Sequence, residues 1–243
     1  ADFTEMYFTK VDNTITNRRG AISQPKLYMS KHGSGWSKPK PLSFSANEFV
    51  TGHPTLSKDG QYLFFASNMP GGQGGTDLYV SKREGESWSS PQNLGPEINT
   101  KMDETFPYLS ANNVLYFSSN GHSGFGGLDV FAAVQKDNKW GNVSNLMPPI
   151  NSSSDDFGII FKSDNSGYFS SNRTGGKGSD DIYGFTLSGL ITSISGKILM
   201  SNKADDGAQN VKVFLVTESG TILQTTTTDG TGFFKFENLL ADQ

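Results

Sequence analysis

Paired carboxylates are the side chains of this sequence that come closest to acid–base chemistry. Asp103 and Glu104 form one pair, and Asp155 and Asp156 form a second pair 52 residues later. A carboxylate pair can divide the roles of general acid and general base when its surroundings separate the two pKa values. A catalytic pair is needed once in an active site, whereas this one recurs. The repetition indicates that these acids make structural hydrogen bonds.

Metal chemistry has little support in the residue types. The histidines His32, His53 and His122 lie in predicted loops and lack the H-E-x-x-H spacing of a zinc site. The chain has no cysteine that could supply a thiolate ligand. We therefore expect no metal site and no bound cofactor, and we expect the histidines to be solvated or to cap turns.

Hydrolase motifs known from propeller enzymes are the catalytic alternative. The chain has four arginines: Arg18, Arg19, Arg83 and Arg173. They occupy non-equivalent positions, whereas a sialidase-type site needs a cluster of arginines. The sequence contains no G-x-S-x-G nucleophile elbow, and its glycine clusters precede strands rather than the helix of a phosphate-binding loop. The sequence predicts no catalytic residue and a protein that is not an enzyme.

The charge and hydropathy patterns exclude two classes of partner. Lys and Arg number 20 against 24 Asp and Glu, and the formal net charge is −4. This balance provides no general positive field for nucleic acid. The chain also lacks a run of about 18 apolar residues that could span a bilayer. We expect neither a nucleic-acid partner nor direct membrane insertion.

An internal repeat of 52 residues organises the first three quarters of the chain. Asparagine, aspartate and tryptophan each recur at this interval, so several independent positions share one period. The repeat-defining residues are Asn68, Asp77, Trp88, Asn120, Asp129, Trp140, Asn172 and Asp181. We interpret these residues as structural, with the tryptophans packing against the sheet.

Each repeat contains four short extended segments rich in aromatic and β-branched residues. Leu115 and Phe117 fall on one face of a pleat, as period-two alternation requires. Four strands in about 40–50 residues are typical of a β-propeller blade. The sequence therefore predicts an all-β fold in which residues 1–188 form about three and a half blades. The first copy begins at its second strand, so we expect the native chain to extend upstream.

Glycine-rich segments separate the second and third strands of each predicted blade. They read NMPGGQGGTD, NGHSGFGGLD and NRTGGKGSDD. Glycine supplies the positive φ angles of tight turns, and Asn and Asp can bond to neighbouring backbone groups. We interpret these segments as structural hairpins. The alternative is that they line one rim of the propeller and bind a ligand or a cation.

A second predicted domain, residues 189–243, follows a different pattern. Its strands read ISGKILM, NVKVFLVT, ILQTTTT and FFKFENL, separated by short turns. Val211, Val213 and Leu215 alternate as on the inner face of a sheet, and Phe234 and Phe236 fall on one face of a later strand. We predict a small β-sandwich that lacks at least one closing strand at its C-terminal end.

The motifs of both domains resemble known families. PTLSKDG at Pro54–Gly60, FSSN at Phe117–Asn120 and GGTDLY at Gly74–Tyr79 resemble the propeller repeats of Tol-associated periplasmic proteins. GAQNVKVFLV and TTTDGTGFFKFENL resemble the carboxypeptidase-regulatory-like sandwich. A propeller followed by such a sandwich is similar to the PorE-type proteins of Bacteroidetes. That family carries TPR repeats upstream and a peptidoglycan-binding domain of the outer-membrane-protein-A type downstream.

The resemblance implies a periplasmic scaffold associated with the outer membrane. Proteins of this type belong to the type IX secretion and gliding machinery, so the implied partners are outer-membrane or secretion proteins. Peptidoglycan would be bound only through the domain that is not in this chain. The alternatives are a propeller module that binds a glycan or a peptide, and a propeller hydrolase.

One insertion is the sequence-level candidate for a partner-binding loop. VDNTITNRRGAISQPK, residues 11–26, is longer than the equivalent hairpin in later repeats and carries Arg18 and Arg19. Long loops on a rigid scaffold often carry function. We therefore expect this loop to contribute to partner binding, with a simple solvated loop as the alternative.

Overall fold

The computed structural model describes seven stretches of the chain, and within them every regular element is a β-strand. The described residues are 4–11, 24–45, 48–137, 139–187, 193–200, 203–216 and 222–237. The chain divides into two compact units, Ala1–Phe185 and Thr186–Gln243. In these stretches no helix has the length and hydropathy needed to cross a bilayer. The predicted all-β class is confirmed.

The described residues of the first unit form four antiparallel sheets in chain order. The first sheet consists of β1 (Glu5–Lys10), β2 (Lys26–Lys31) and β3 (Lys40–Pro41). The second consists of β4 (Thr51–Leu56), β5 (Tyr62–Ser67), β6 (Asp77–Glu84), β7 (Ser87–Trp88) and β8 (Gln92–Asn93). The third consists of β9 (Glu104–Leu109), β10 (Val114–Ser119), β11 (Asp129–Lys136) and β12 (Lys139–Asn145). The fourth consists of β13 (Asp156–Ser163), β14 (Ser166–Ser171) and β15 (Asp181–Thr186).

Tight turns connect the first and second strands of the second and third sheets. Gly60 and Asn113 hold the left-handed position of two equivalent turns, with φ of 68° and 59°. Glycine and asparagine adopt this conformation at the lowest steric cost. In β10, Leu115 and Phe117 point to the second sheet and Tyr116 points to the fourth. Both faces of the third sheet are therefore buried, and the alternation predicted from the sequence separates two hydrophobic cores.

Three hydrophobic clusters join each sheet to the next. Leu27 and Leu42 of the first sheet region pack against Leu63 and Phe65 of the second. The second and third sheets meet in a similar cluster, and the third and fourth in another. Burial of large apolar side chains contributes about 1.5–3 kcal/mol each. Contacts between neighbouring sheets therefore contribute substantially to the stability of the first unit.

The second unit contains three two-stranded pairings. Its strands are β16 (Ser193–Lys197), β17 (Leu199–Met200), β18 (Lys203–Gly207), β19 (Lys212–Val216), β20 (Ile222–Thr227) and β21 (Phe233–Glu237). The pairs are β16 with β21, β17 with β18 and β19 with β20. Phe236 is buried, and Phe234 packs so close to Gly196 that a Cβ there would lie 2.8 Å from its ring. A side chain at this position of β16 would therefore have to displace the Phe234 ring.

Candidate functional site

The repeated aspartates close the glycine-rich loops. Each carboxylate lies at the start of the third strand of its sheet and accepts backbone N–H bonds from the preceding loop. Asp129 accepts bonds of 3.0 Å from the amides of Phe125 and Gly126, and Asp77 and Asp181 make the equivalent contacts. A carboxylate that satisfies two loop amides replaces the partners that a regular sheet would provide. These aspartates organise the loop.

The repeated asparagines join the end of the second strand to the chain just before the first strand. The Asn120 side-chain oxygen accepts a bond of 2.9 Å from the Asp103 amide. Asn172 makes the same bond to Asp155 at 2.8 Å, and Asn68 bonds to the amide of Val50 at 2.7 Å.

The acidic pairs divide their roles between two junctions. Asp103 reaches back to accept a bond of 2.8 Å from the amide of Thr76, in the loop of the preceding sheet. Glu104 is fully buried and accepts bonds from Thr100 and from the Ser119 hydroxyl. Asp155 and Asp156 occupy the equivalent positions one repeat later. The two carboxylates of a pair therefore bind different groups and do not face a common substrate position.

The two arginines that the structure describes bind acidic residues on other strands. Arg83 donates a bond of 2.7 Å to Glu5 of the first sheet and lies over the ring of Trp88. This hydrogen bond holds the pKa of Glu5 below its ordinary value. Arg173 binds Asp156 and lies over the ring of Phe169. Arg18 and Arg19 lie outside the described residues.

The predicted tryptophans occupy the outer part of the sheets. Trp88 is buried and meets Tyr7 edge-on, with ring centroids 5.8 Å apart. Trp140 packs against Phe64 of the second sheet in the same manner, at 5.9 Å. Both indoles therefore bridge one sheet to the side chains of its neighbour.

Two buried asparagines that were not among the predicted positions bind the backbone of the third strand in their sheets. Asn99 is buried, and its side chain binds both the N–H and the C=O of Leu78. Asn151 makes the same two bonds to Val130. The I-N dipeptide at one-repeat spacing is the sequence signal that could have identified them.

A cleft lies where the first strands of the second, third and fourth sheets meet. It has a volume of about 200 Å³ and is called the inner cleft below. Its lining residues are His53, Pro54, Thr55, Phe106, Pro107, Tyr108, Gly158, Ile159 and Ile160. Most of these residues are apolar, so the inner cleft suits an apolar group.

Each of the three strands has a left-handed residue at the same position of the inner cleft. The φ angles are 53° at His53, 49° at Phe106 and 65° at Gly158. Each position coincides with a shift of strand register, as in a β-bulge. A positive φ is a genuine outlier for a bulky residue such as phenylalanine, and such strain clusters at binding sites. This observation makes the inner cleft the candidate site.

The location of His53 corrects the sequence prediction, which placed it in a loop. His53 lies within β4, and the bulge explains the error because a left-handed residue interrupts the alternation by which a strand is recognised. The imidazole stacks on Phe106 with centroids 3.8 Å apart, and its Nδ1 faces the Phe106 amide at 3.4 Å. Burial lowers the pKa of His53, so the neutral ring is favoured.

The inner cleft offers shape and apolar surface rather than reactive groups. His53 stacks on Phe106, and Phe157 lies tilted against the Phe106 ring with 5.0 Å between their centroids. The Tyr108 hydroxyl is engaged with the Phe161 carbonyl at 3.4 Å. Among the described residues, no group of three or more His, Cys, Asp or Glu side chains could hold a metal ion. The arrangement suits binding of an apolar side chain or peptide segment.

The glycine-rich loops pack against the next junction of the chain. A Cβ at Gly74 would lie 2.3 Å from the backbone of Lys101, and one at Gly126 would lie 2.2 Å from the Ser154 carbonyl oxygen. The glycines are therefore required by close backbone approach. One exposed aromatic residue, Phe125, extends from the loop of the third sheet.

Comparison with known proteins supports the fold of both units. Residues 183–243 match the family model of the second β-sandwich domain of NOMO1-like subunits of the BOS complex. No curated protein sequence matches the chain significantly. A β-sandwich domain at the C-terminal end is thus supported by sequence.

Solved structures similar to the chain include propeller-containing proteins. TolB from Acinetobacter baumannii is 9% identical with a TM-score of 0.50, and the match covers 95% of this chain and 53% of TolB. Prolyl oligopeptidase B from Galerina marginata is 13% identical with a TM-score of 0.46, and the match covers 76% of this chain and 24% of the peptidase. The chain thus spans about a quarter of the peptidase and about half of TolB. The likeness to TolB supports a propeller-like fold alone.

Proposed function

We propose that this chain is a non-catalytic scaffold that binds a segment of a protein partner in the inner cleft. One observation carries the proposal: left-handed residues at His53, Phe106 and Gly158 shape an apolar cleft between three sheets. At the non-glycine positions, His53 and Phe106, strain of this kind costs about 1–3 kcal/mol per residue and persists where the surrounding structure imposes it, whereas Gly158 adopts its angle without strain. A preformed apolar cleft loses little conformational entropy when a ligand binds, because its side chains and loops are already ordered.

The use of the repeated polar residues supports the scaffold reading. The repeated aspartates of the described sheets bind loop amides. The repeated asparagines and the acidic pairs bind backbone amides at the junctions between strands and between sheets. Buried charges and amides with several partners rigidify a fold. The first unit is therefore suited to present a fixed surface, and its blades, about three and a half in our interpretation, would form part of a larger propeller.

The finer assignment rests on the sequence resemblance. As a PorE-type protein, the chain would act in the periplasm beside the outer membrane, in the type IX secretion or gliding machinery. Its partners would be outer-membrane or secretion proteins, and a separate domain would provide the link to the cell wall. A glycan- or peptide-binding module is the alternative function, and the exposed ring of Phe125 on a glycine-rich loop favours it.

Site-specific photo-crosslinking tests the proposal. A photoreactive amino acid replaces Thr55, which lines the inner cleft, and the altered chain is expressed in its native bacterium. We expect a crosslink to an outer-membrane or secretion protein, and we expect Phe106→Ala to abolish it. The matched control places the same probe at Met102, which is exposed and lies outside the cleft.

Three outcomes would contradict the proposal. The first is the absence of a crosslink at Thr55, and the second is a crosslink that Phe106→Ala leaves unchanged. The third is saturable binding to a glycan array that Phe125→Ala removes while the Thr55 probe stays uncrosslinked, which would favour the alternative function.

A further inference from the structure

The volume of the inner cleft limits what can occupy it. Its volume of about 200 Å³ lies below the roughly 300–1,000 Å³ of pockets that enclose a whole small molecule. An apolar cavity of about 150 Å³ is enough to hold one benzene molecule. The inner cleft therefore has room for a single ring-sized side chain, whereas a glycan chain would extend beyond it.

The backbone of β4 and β9 offers few hydrogen-bond donors to the inner cleft. Pro54 and Pro107 occupy equivalent positions of the two strands and have no N–H. The amide of His53 donates to the Thr9 hydroxyl at 3.0 Å, and the amide of Phe106 faces Nδ1 of His53 at 3.4 Å. A peptide strand added along β4 or β9 would therefore find no free N–H at these positions. We expect the inner cleft to recognise a side chain rather than a backbone.

The side chains that line the inner cleft do not suit a charged or strongly polar group. Burial lowers the pKa of His53, which favours its neutral ring, and none of the other lining residues is Asp, Glu, Lys or Arg. The Tyr108 hydroxyl faces the Phe161 carbonyl at 3.4 Å, and Thr55 has the other hydroxyl among the lining residues. A charged group that entered the cleft would lose its hydration without an ionic partner.

The walls of the inner cleft favour an aromatic ring over an aliphatic group of the same size. The rings of His53, Phe106 and Tyr108 line the cleft. Ile159 is buried, and Ile160 is 51% exposed, so the apolar lining continues from the interior to the solvent. Aromatic rings attract one another in offset and edge-to-face arrangements, beyond the effect of the apolar area that they bury.

We propose that the inner cleft receives one aromatic side chain of the partner segment. This inference rests on the proposed function, in which a protein segment binds in the cleft. The inserted ring is the anchor of that segment, since aromatic side chains that fill a pocket carry much of the binding energy of many interfaces. The remaining contacts of the segment lie outside the cleft.

Titration with capped amino acids tests this assignment. N-acetyl-phenylalaninamide is compared with N-acetyl-cyclohexylalaninamide, which has the same carbon skeleton with a saturated ring. Binding is followed through the methyl NMR signals of Ile159 and Ile160, and Ile182, 78% exposed and outside the cleft, is the control for non-specific association. We expect saturable shifts at the two cleft isoleucines, and we expect the aromatic probe to bind about 2- to 12-fold more tightly than the saturated one.

Two substitutions connect the preference to the cleft. Phe106→Leu keeps an apolar wall but removes its ring, so the preference for the aromatic probe should fall below about 2-fold. Ile160→Glu places a carboxylate at a half-exposed lining position, and it should weaken the binding of both probes by about 10-fold or more. Thermal unfolding shows which variants remain folded, and the exposed position of Ile160 makes its variant the safer of the two.

Several results would overturn the inference. These are equal affinities of the two probes, an unchanged preference in folded Phe106→Leu, shifts at Ile182 as large as those at Ile160, and no shift at either cleft isoleucine. A Thr55 crosslink in the cell together with equal probe affinities removes the aromatic anchor and leaves the proposed function in place. An aromatic preference without a crosslink at Thr55 supports the ring selectivity of the cleft and contradicts the proposed function.

Discussion

Replacing Asn99 by alanine tests whether buried amides between strands hold the sheets. The Asn99 side chain accepts a bond of 2.7 Å from the Leu78 amide and donates to the Leu78 carbonyl and to the Asn93 side chain, at 3.0 and 2.9 Å. After the substitution, the Leu78 carbonyl keeps the amide of Leu94, and the Asn93 oxygen keeps the amide of Gly95. The Leu78 N–H therefore loses its partner in a buried position.

The size of the destabilisation follows mainly from the unpaired Leu78 N–H. An unsatisfied buried donor costs about 1–3 kcal/mol, and the other two lost bonds contribute roughly 0.5–1.5 kcal/mol each at most, since their acceptors stay paired. We expect Asn99→Ala to lower the free energy of unfolding by about 2–6 kcal/mol. With a urea m-value of about 2 kcal/mol/M, the midpoint falls by roughly 1–3 M.

Urea unfolding with two comparison variants provides the assay. Asn151→Ala removes the equivalent three bonds one repeat later and should cost the same. Asn120→Ala removes an exposed side chain, and water can then accept the hydrogen bond of the Asp103 amide. We therefore expect a loss of less than about 1 kcal/mol in the free energy of unfolding. The reasoning is refuted if Asn99→Ala and Asn120→Ala have equal effects, or if Asn151→Ala is neutral.

Two further predictions concern the loops and the inner cleft. Gly126→Ala should destabilise the first unit by more than about 2 kcal/mol in thermal unfolding, because its Cβ would clash with the Ser154 carbonyl. Gly33→Ala has open space around it and should be near neutral. Equal effects of the two substitutions would contradict the packing argument. His53 has a folded-state pKa below its unfolded value, so the unfolded state binds the proton first, and its contribution to stability is lost as the pH falls below about 6.5. Urea titrations at pH values from 7.5 to 5 should show this loss of stability in the wild type and a smaller loss in His53→Gln. An equal fall of the unfolding free energy with pH in both proteins would exclude His53 as the cause.

Some errors of the sequence prediction have a common physical origin. A bulge with a left-handed residue breaks the two-residue period, so the sequence pattern at His53 indicates a loop although His53 belongs to β4. Buried amides such as Asn99 recur with the preceding isoleucine at one-repeat spacing, but this pattern does not reveal what they bind, because their partners lie 21 residues away. Such groups become visible only when distant strands are placed side by side.

The sequence by itself determined the strands, the repeat and the all-β class, because every sheet must present the same apolar pattern to the sheet before it and the sheet after it. Only the tertiary structure decided the inner cleft and the exposure of each repeat position. Residues about 52 apart, such as Phe106 and Gly158, come together through the stacking of sheets, and no local pattern encodes that proximity. Exposure also depends on what lies beside a surface, so Val130 and Ile182 share one repeat position while one is buried and the other is open to solvent.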